Sequence, residues 1–344
     1  NFLFSLPALL AAARVMAQSR PPTIPLRALN HVTLRVSDVK RSLEFYQGLF
    51  GMLIQARQTA MSASLQIGEG PQHIGLGAVG ANERIGIHHF CVTTSGFDVD
   101  RMLRILFEHG VMKLDPLDAD FPARRGQLKA RVRLRREDTG GTREGTPEFY
   151  FTDPDGIVVQ VQHTNYCAGS GYLGDVCSGT PEPAPTTGLL ALRDLNHVTL
   201  GVPNQQRSRE FYRDLFGMKV QAYQGPSPIH AVGEGPQFIA FGSGSANGGI
   251  SGTPNIAHFC MTVEEFDVDK VLKTLAEFGV KPRGNAAGPA PPLTSYVSTR
   301  MEDRGGARGG TPELYFTDPD GIVVQLQDTS YCGGAGTLGN VCAA

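Results

Sequence analysis

The sequence predicts an α+β protein, a tandem repeat of two domains, each made of paired βαβββ modules. Three observations predict it. The stretch DPDGIVVQVQ at 153–162 returns as DPDGIVVQLQ at 318–327. Sliding the chain on itself by about 165 residues aligns nearly everything after residue 25, and 18 of 22 residues are identical between 146–167 and 311–332. Within each copy, a strand, a helix and a run of short strands occur in that order twice. At 344 residues the chain can bury two cores. With 41% hydrophobic and 19% charged residues it has the composition of a globular protein, and 42 Gly with 23 Pro suit many turns and short strands. A formal net charge of −2 argues against nucleic acid or an anionic membrane surface as a partner.

In the first copy, NHVTLRV (30–36) alternates as a strand does. DVKRSLEFYQGLFGM comes next, with Val39, Leu43, Tyr46 and Phe50 at helical spacing. MLIQAR, SLQIG and HIGLGAV read as short strands. IHHFCVTT opens the second module as a strand, VDRMLRILFEHG is a helix ending at Gly110, and further strands run to VVQVQ. The second copy repeats the series from LNHVTLGV (195–202). The predicted boundaries are 29–177 and 194–344 for the two domains, joined by a Pro/Thr-rich linker at 178–193.

Residues 1–18, NFLFSLPALLAAARVMAQ, are apolar and lack acidic residues, and read as the hydrophobic part of an export signal, with 19–28 as a leader. The opening Asn-Phe-Leu is similar to the residues just after the paired arginines of a twin-arginine signal. The alternative is a buried or interfacial N-terminal helix. Export to the periplasm or the extracellular space is expected, with no stable membrane insertion once the signal is removed. Four cysteines form matching pairs, Cys167 with Cys177 and Cys332 with Cys342, each enclosing a Gly-rich loop of nine residues. Such loops close readily as disulfides in an oxidising compartment. Zinc is the weaker reading, because neither pair has the CxxC spacing.

Side chains two apart on a strand share a face. Val32, Leu34 and Val36 make the apolar side of the first strand, so His31 points the other way. The same alternation puts His89 and Gln160 on a face that helix packing does not need, and His197, His258 and Gln325 repeat it in the second copy. A lone strand histidine is usually structural, since buried polar groups mostly just find partners. Recurrence in register in both copies is what favours a site. His88, His73 and His163 fail that test, being matched by Ala257, Phe238 and Asp328.

NHVTLRV, the EFYxxLFGM helix end, IHHFCV or IAHFCM, and FTDPDGxxxQ together resemble the vicinal-oxygen-chelate superfamily. That superfamily includes glyoxalase I, the fosfomycin and bleomycin resistance proteins and the extradiol ring-cleaving dioxygenases. The resemblance covers most of both copies and implies paired βαβββ modules forming a half-open barrel around a divalent metal. Carried over, the implied ligands are His31, His89 and Gln160 in the first copy, and His197, His258 and Gln325 in the second. Fe(II) is the first expectation, with Mn(II) or Zn(II) as alternatives. The family normally has Glu where Gln160 and Gln325 stand, and HIGLGAV and FIAFGSG hold no carboxylate for a fourth ligand. A neutral amide binds metal more weakly than a carboxylate and leaves the ion a stronger Lewis acid.

Arg135 and Arg300 on strands, and Arg143 and Arg308 in Gly-rich loops, are candidates for holding an anionic substrate. Pairing with the nearby Glu137, Asp138, Glu302 and Asp303 is the competing role. Tyr150 and Tyr315 are candidate acids or hydrogen-bond donors, against plain packing. The DPDG carboxylates (Asp153, Asp155, Asp318, Asp320) read as turn formers. With the signal-like segment, the cysteine pairs and the candidate arginines, the resemblance leads to the expectation of an exported metal-dependent enzyme acting on a small substrate with vicinal oxygens, anionic or catechol-like. Extradiol-like dioxygenation comes first and glyoxalase-like lyase or isomerase chemistry after it. The alternative class is a metal-free small-molecule binder like the resistance proteins. A homo-oligomer is compatible with either.

Overall fold

The computed structural model of the chain describes residues 23–81, 83–117, 127–177, 181–243, 253–284 and 288–342. The signal-like segment 1–18, the first part of the leader and linker residues 178–180 lie outside them. The first module runs β1 (Ala28–Val36), α1 (Val39–Phe50), β2 (Ile54–Ala56), β3 (Ser62–Gln66) and β4 (His73–Ala78). The second runs β5 (Gly86–Thr94), α2 (Val99–Glu108), β6 (Met112–Lys113), β7 (Lys129–Arg135), β8 (Thr146–Thr152) and β9 (Val158–His163). The second copy gives β10 (Leu192–Gly201), α3 (Gln205–Phe216), β11 (Val220–Gln224), β12 (Ser227–Ala231) and β13 (Phe238–Gly242). It ends with β14 (Asn255–Val263), α4 (Val268–Glu277), β15 (Lys281–Pro282), β16 (Thr294–Arg300), β17 (Thr311–Thr317) and β18 (Val323–Asp328). The second module of each copy thus carries one extra, two-residue strand.

Modules pair within a copy. The first copy is one nine-stranded mixed sheet in the order β2-β3-β4-β1-β5-β9-β8-β7-β6, and the second repeats it as β11-β12-β13-β10-β14-β18-β17-β16-β15. Neither sheet closes into a barrel. The helices are set by local chemistry: Asp38 and Asn204 cap α1 and α3 by accepting from the amides of Arg41 and Arg207, and Gly51 and Gly217 end them at φ 66°. Val32, Leu34 and Val36 are fully buried beneath them, as the alternation required. No helix among the described residues is long and apolar enough to cross a membrane.

The copies interlock. Asp153 accepts hydrogen bonds at Oδ1 from the amides of Asp155 and Ile157, which makes the DPDG turn, and at Oδ2 from the Tyr212 hydroxyl of the other copy at 3.0 Å. Asp318 does the same with Asp320, Ile322 and Tyr46. Asp320 also takes Arg41 and Ser37, while Asp155 takes Arg207 and Ser208. The turn-former reading is therefore half of the role, because each turn also clamps the other copy's helix. Phe45 packs on Phe278 and Phe316, and Phe211 on Phe151. Even the segments before each copy cross over: Ile24 donates its amide to Leu215 O, and Leu189 to Leu49 O.

Both cysteine pairs are disulfides, Cys167–Cys177 and Cys332–Cys342, while Cys91 and Cys260 are buried thiols. The described part of the linker is docked on the first copy, where Glu182 bridges Ile54 and its carboxylate pairs with Arg57 at 2.8 Å.

Candidate metal centre and its cavity

β1, β5 and β9 are neighbours at the middle of the first sheet, so His31, His89 and Gln160 converge on one face. His31 is directly across from Cys91 and Cys91 from Gln160, so His31 and Gln160 share a row and His89 lies two residues along β5 between them. His31 Nε2 lies 3.3 Å from His89 Nε2 and 3.1 Å from Gln160 Oε1. In the second copy His197 Nε2 lies 3.1 Å from Gln325 Oε1, with His258 edge-on to His197 at a centroid distance of 5.5 Å. All six side chains are buried.

The tautomers fit a cation. Asn30 Nδ2 donates to Tyr166 O at 2.8 Å, which leaves its Oδ1 facing His31 Nδ1 at 2.7 Å. An amide oxygen only accepts, so His31 Nδ1 carries the proton and Nε2 presents a lone pair. Asn196 and Tyr331 repeat this on His197. His89 Nδ1 lies 2.8 Å from His88 Nδ1, whose ring has Glu83 3.8 Å away on its other side. A proton donated from His89 to His88 frees His89 Nε2 as well, in the relay that orients metal-binding imidazoles. Two further acceptor atoms then stand 3.3 and 3.1 Å from His31 Nε2. Donors sharing one ion at about 2.1 Å stand about 3.0–3.4 Å apart. Gln160 Nε2, Gln325 Nε2 and both ring nitrogens of His258 have no hydrogen-bond partner. The residues present fit a divalent metal. Among the described residues no three His, Cys, Asp or Glu side chains form a metal-holding group, so the centre depends on the glutamine oxygen as third donor.

Burial drives the pKa of His31, His89 and His197 well below the ordinary imidazole value, and brings His73 and His258 down to about 4. These rings are neutral at pH 7, the state a metal requires. A folded-state pKa below the unfolded value gives stability that is present above pH ~6.5 and lost as pH falls towards 4. Asp153 and Asp318, raised by burial to about 6, act oppositely, since their contribution is present below pH ~4 and lost as pH rises through 6. Burial brings His230 down to about 4 as well, and six histidines outweigh two aspartates. In chelator, the melting temperature is expected to fall by roughly 5–10 °C between pH 7 and 4.5; a flat profile by calorimetry would mean the imidazoles are already charged or solvated.

The donors open into a cavity of ≈ 130 Å³ lined also by Arg35, His73, His88, Arg131, Arg133 and Tyr150. A larger cleft of ≈ 950 Å³ lies between the copies, lined by both GEGPQ segments, but it contains none of these imidazoles. Tyr150 reaches the site and stands edge-on to His89 at 5.4 Å. Burial and the neighbouring Glu148 hold its phenol protonated, and its hydroxyl donates to Glu148 Oε2 at 3.2 Å. Tyr315 repeats this on Glu313 at 3.3 Å. Both are hydrogen-bond donors and rigid walls.

The four arginines lie elsewhere. Arg135 is fully buried; its Nε donates to Glu148 at 2.9 Å and its Nη2 to Gly169 O, inside the disulfide loop, at 2.6 Å. Arg300 binds Glu313 and Gly334 O in the same way. Both guanidiniums are committed to fixing the loop, and Arg135 is not among the cavity's lining residues. Arg143 and Arg308 are exposed on loops away from it. The sequence reading missed Glu148, which takes Arg133, Arg135, Tyr150, Tyr166 and Gln58. Burial alone would raise its pKa, but Arg133, Arg135 and the Tyr166 hydroxyl bring it below the usual value. It also missed Asn30 and Tyr166, and it set aside His73, whose ring stacks on His31 at 4.3 Å as Phe238 stacks on His197 at 4.2 Å. Asn30, Glu148 and Tyr166 recur in the second copy, and that recurrence was the available signal.

A family model described as Glyoxalase/Bleomycin resistance protein/Dioxygenase superfamily matches residues 28–161 and 194–326. Among solved structures, the Mn(II)-bound glyoxalase from Novosphingobium aromaticivorans is similar, at TM-score 0.57 and 19% identity, covering 88% of this chain and 82% of that one. Homoprotocatechuate 2,3-dioxygenase from Brevibacterium fuscum, in complex with 3,4-dihydroxyphenylacetate, gives 0.57 and 16% over 90% and 82%. The 2,3-dioxygenase LapB from Pseudomonas sp. KL28 gives 0.56 and 16% over 88% and 92%. At these identities the likeness is one of fold. No curated protein sequence matches the chain.

Proposed function

The chain belongs to the glyoxalase/bleomycin resistance protein/dioxygenase superfamily, and from that premise we propose that it is a metal-dependent enzyme acting on a small substrate through adjacent oxygens. The observation that carries this is the placing of His89 Nε2 and Gln160 Oε1 at 3.3 and 3.1 Å from His31 Nε2, with His31 locked by Asn30 to present a lone pair. His31, His89 and Gln160 would hold a divalent ion in the first copy, and His197, His258 and Gln325 in the second. Once bound, it would supply Lewis acidity to a substrate's adjacent oxygens. Tyr150 and Tyr315 keep their protons and seal one wall, and His73 and Tyr166, or Phe238 and Tyr331, flank the first imidazole. A cavity of ≈ 130 Å³ admits about one small ring, since an apolar cavity near 150 Å³ accepts benzene.

Two imidazoles with one oxygen donor support extradiol-like opening of a catechol-like ring first, with Fe(II) before Mn(II) or Zn(II). Glyoxalase-like isomerisation is second. The disulfides support action in an oxidising compartment outside the cytoplasm. The orphaned Gln160 Nε2 favours one other reading. With the amide turned about, Nε2 donates to His31 Nε2 and the cavity is a metal-free binding site.

Elemental analysis of protein purified without chelator separates the two. Near two equivalents of iron or manganese per chain, lost with His89→Ala and His258→Ala, is the expected result. Protein that stays empty after reconstitution would leave only the binder.

A further inference from the structure

The two donor sets share their ligands but not what stands behind them. In the first copy, Thr33 pairs with His89 and Leu34 with Ile87, so His88 is the extra residue of a β-bulge. In the second, Thr199 pairs with His258 and Leu200 with Ile256, which puts Ala257 in the same bulge. Adjacent strand residues normally face opposite ways, and a bulge re-aims one of them. His88 is thereby turned towards its own neighbour, with the two Nδ1 atoms 2.8 Å apart. Glu83 Oε1 stands 3.8 Å from His88 Nε2, and Glu83 Oε2 takes the Gly80 amide at 2.9 Å. Arg35 Nε lies 2.9 Å from that same oxygen, close enough to pair in charge though not aligned as a hydrogen bond. Arg35, Glu83 and His88 thus form a line that ends on a metal donor.

The second copy has no member of this line. Gly201 stands at the place of Arg35 and Ala257 at that of His88, and residues 243–254, between β13 and β14, include no Asp, Glu or His. What the copies share is the other brace, Asn30 on His31 and Asn196 on His197. Among the described residues His258 has no hydrogen-bond partner at either ring nitrogen. A free imidazole divides between two tautomers, whereas one whose Nδ1–H is already bonded presents Nε2 as the lone pair.

We propose that the two metal centres are unequal: His88, held by Glu83 and Arg35, positions His89 so that the first copy binds its divalent ion about 10–100-fold more tightly than the second, the usual effect of such a partner. The proposal rests on the reading of both donor sets as metal centres. The first then fills at metal concentrations too low for the second, and both fill in excess.

The test is Mn(II) titration of the full chain, stripped of metal beforehand, with free Mn(II) read by electron paramagnetic resonance. The parent should take up two equivalents in two steps, about 10–100-fold apart in affinity. His88→Ala, which installs the second copy's residue, should weaken the tight step until the two merge. His88→Asn sets an amide oxygen where Nδ1 was, an acceptor of the kind Asn30 offers His31, and should keep the steps apart. In chelator, ring 1H–15N spectra should show His89 protonated at Nδ1 in the parent and in His88→Asn, and as a mixture of tautomers in His88→Ala. Two equal sites in the parent, a tight step indifferent to His88→Ala, or one that His88→Asn fails to keep would overturn the proposal and leave the metal reading standing. Protein that takes up no Mn(II) at all would remove the metal reading, and this proposal with it.

Discussion

Gln160→Glu with Gln325→Glu is expected to raise Mn(II) affinity by at least ~10–100-fold. Changes that merely reorient a ligand alter metal affinity by about that factor, and this change places a full negative charge where a neutral amide oxygen stands 3.1 Å from His31 and His197. The carboxylate is close to isosteric with the amide, so the strand register and the imidazole tautomers set by Asn30 and Asn196 are retained. Without metal, the same variant should be less stable than the parent, because it buries a carboxylate beside two lone pairs in a site already closed to solvent. The signature is therefore a melting temperature lower than the parent's in chelator and higher in Mn(II). Equal affinities in a competition titration against a metal-indicator dye would mean that the glutamine oxygen is outside the donor set.

Arg135→Met is expected to destabilise the first copy by about 3–5 kcal/mol. The guanidinium and the Glu148 carboxylate are both fully buried, and removing one charge strands the other. Arg133 can still reach Glu148 Oε2, but Arg135 alone also ties the disulfide loop at Gly169. Arg135→Met with Glu148→Gln should recover part of the loss, because the stranded charge goes too. Urea denaturation with the disulfides intact measures both. A single-variant loss under ~1 kcal/mol, the value of an exposed pair, would show that water reaches Glu148.

The strands and helices were legible because each obeys a local rule: Val32, Leu34 and Val36 alternate with the polar face, and α1 opens on Asp38 and closes on Gly51. The donors were legible for a different reason, since His31, His89 and Gln160 recur in register. What lay beyond reach was set by register between strands. Arg135 has Glu137 and Asp138 close by in sequence, yet its partner is Glu148 on the neighbouring strand. The same limit hid the bond from Tyr212 to Asp153, which spans 59 positions and both copies. His88 and His73 were set aside because they lack counterparts. That criterion finds what the copies share and discards what distinguishes them.

The crossed clamp between the DPDG turns and the opposite helices bears on how such a chain could arise. Each copy carries both halves of the contact, the turn at Asp153 or Asp318 and the hydroxyl at Tyr46 or Tyr212. A gene holding one copy would encode a complete, self-complementary surface, and two of its products would close around a two-fold axis in an isologous dimer. In that ancestor every cavity is identical, because one sequence writes both. Fusion keeps the axis in the contacts and removes it from the sequence, so a mutation can alter the surroundings of one donor set and leave its twin's unchanged.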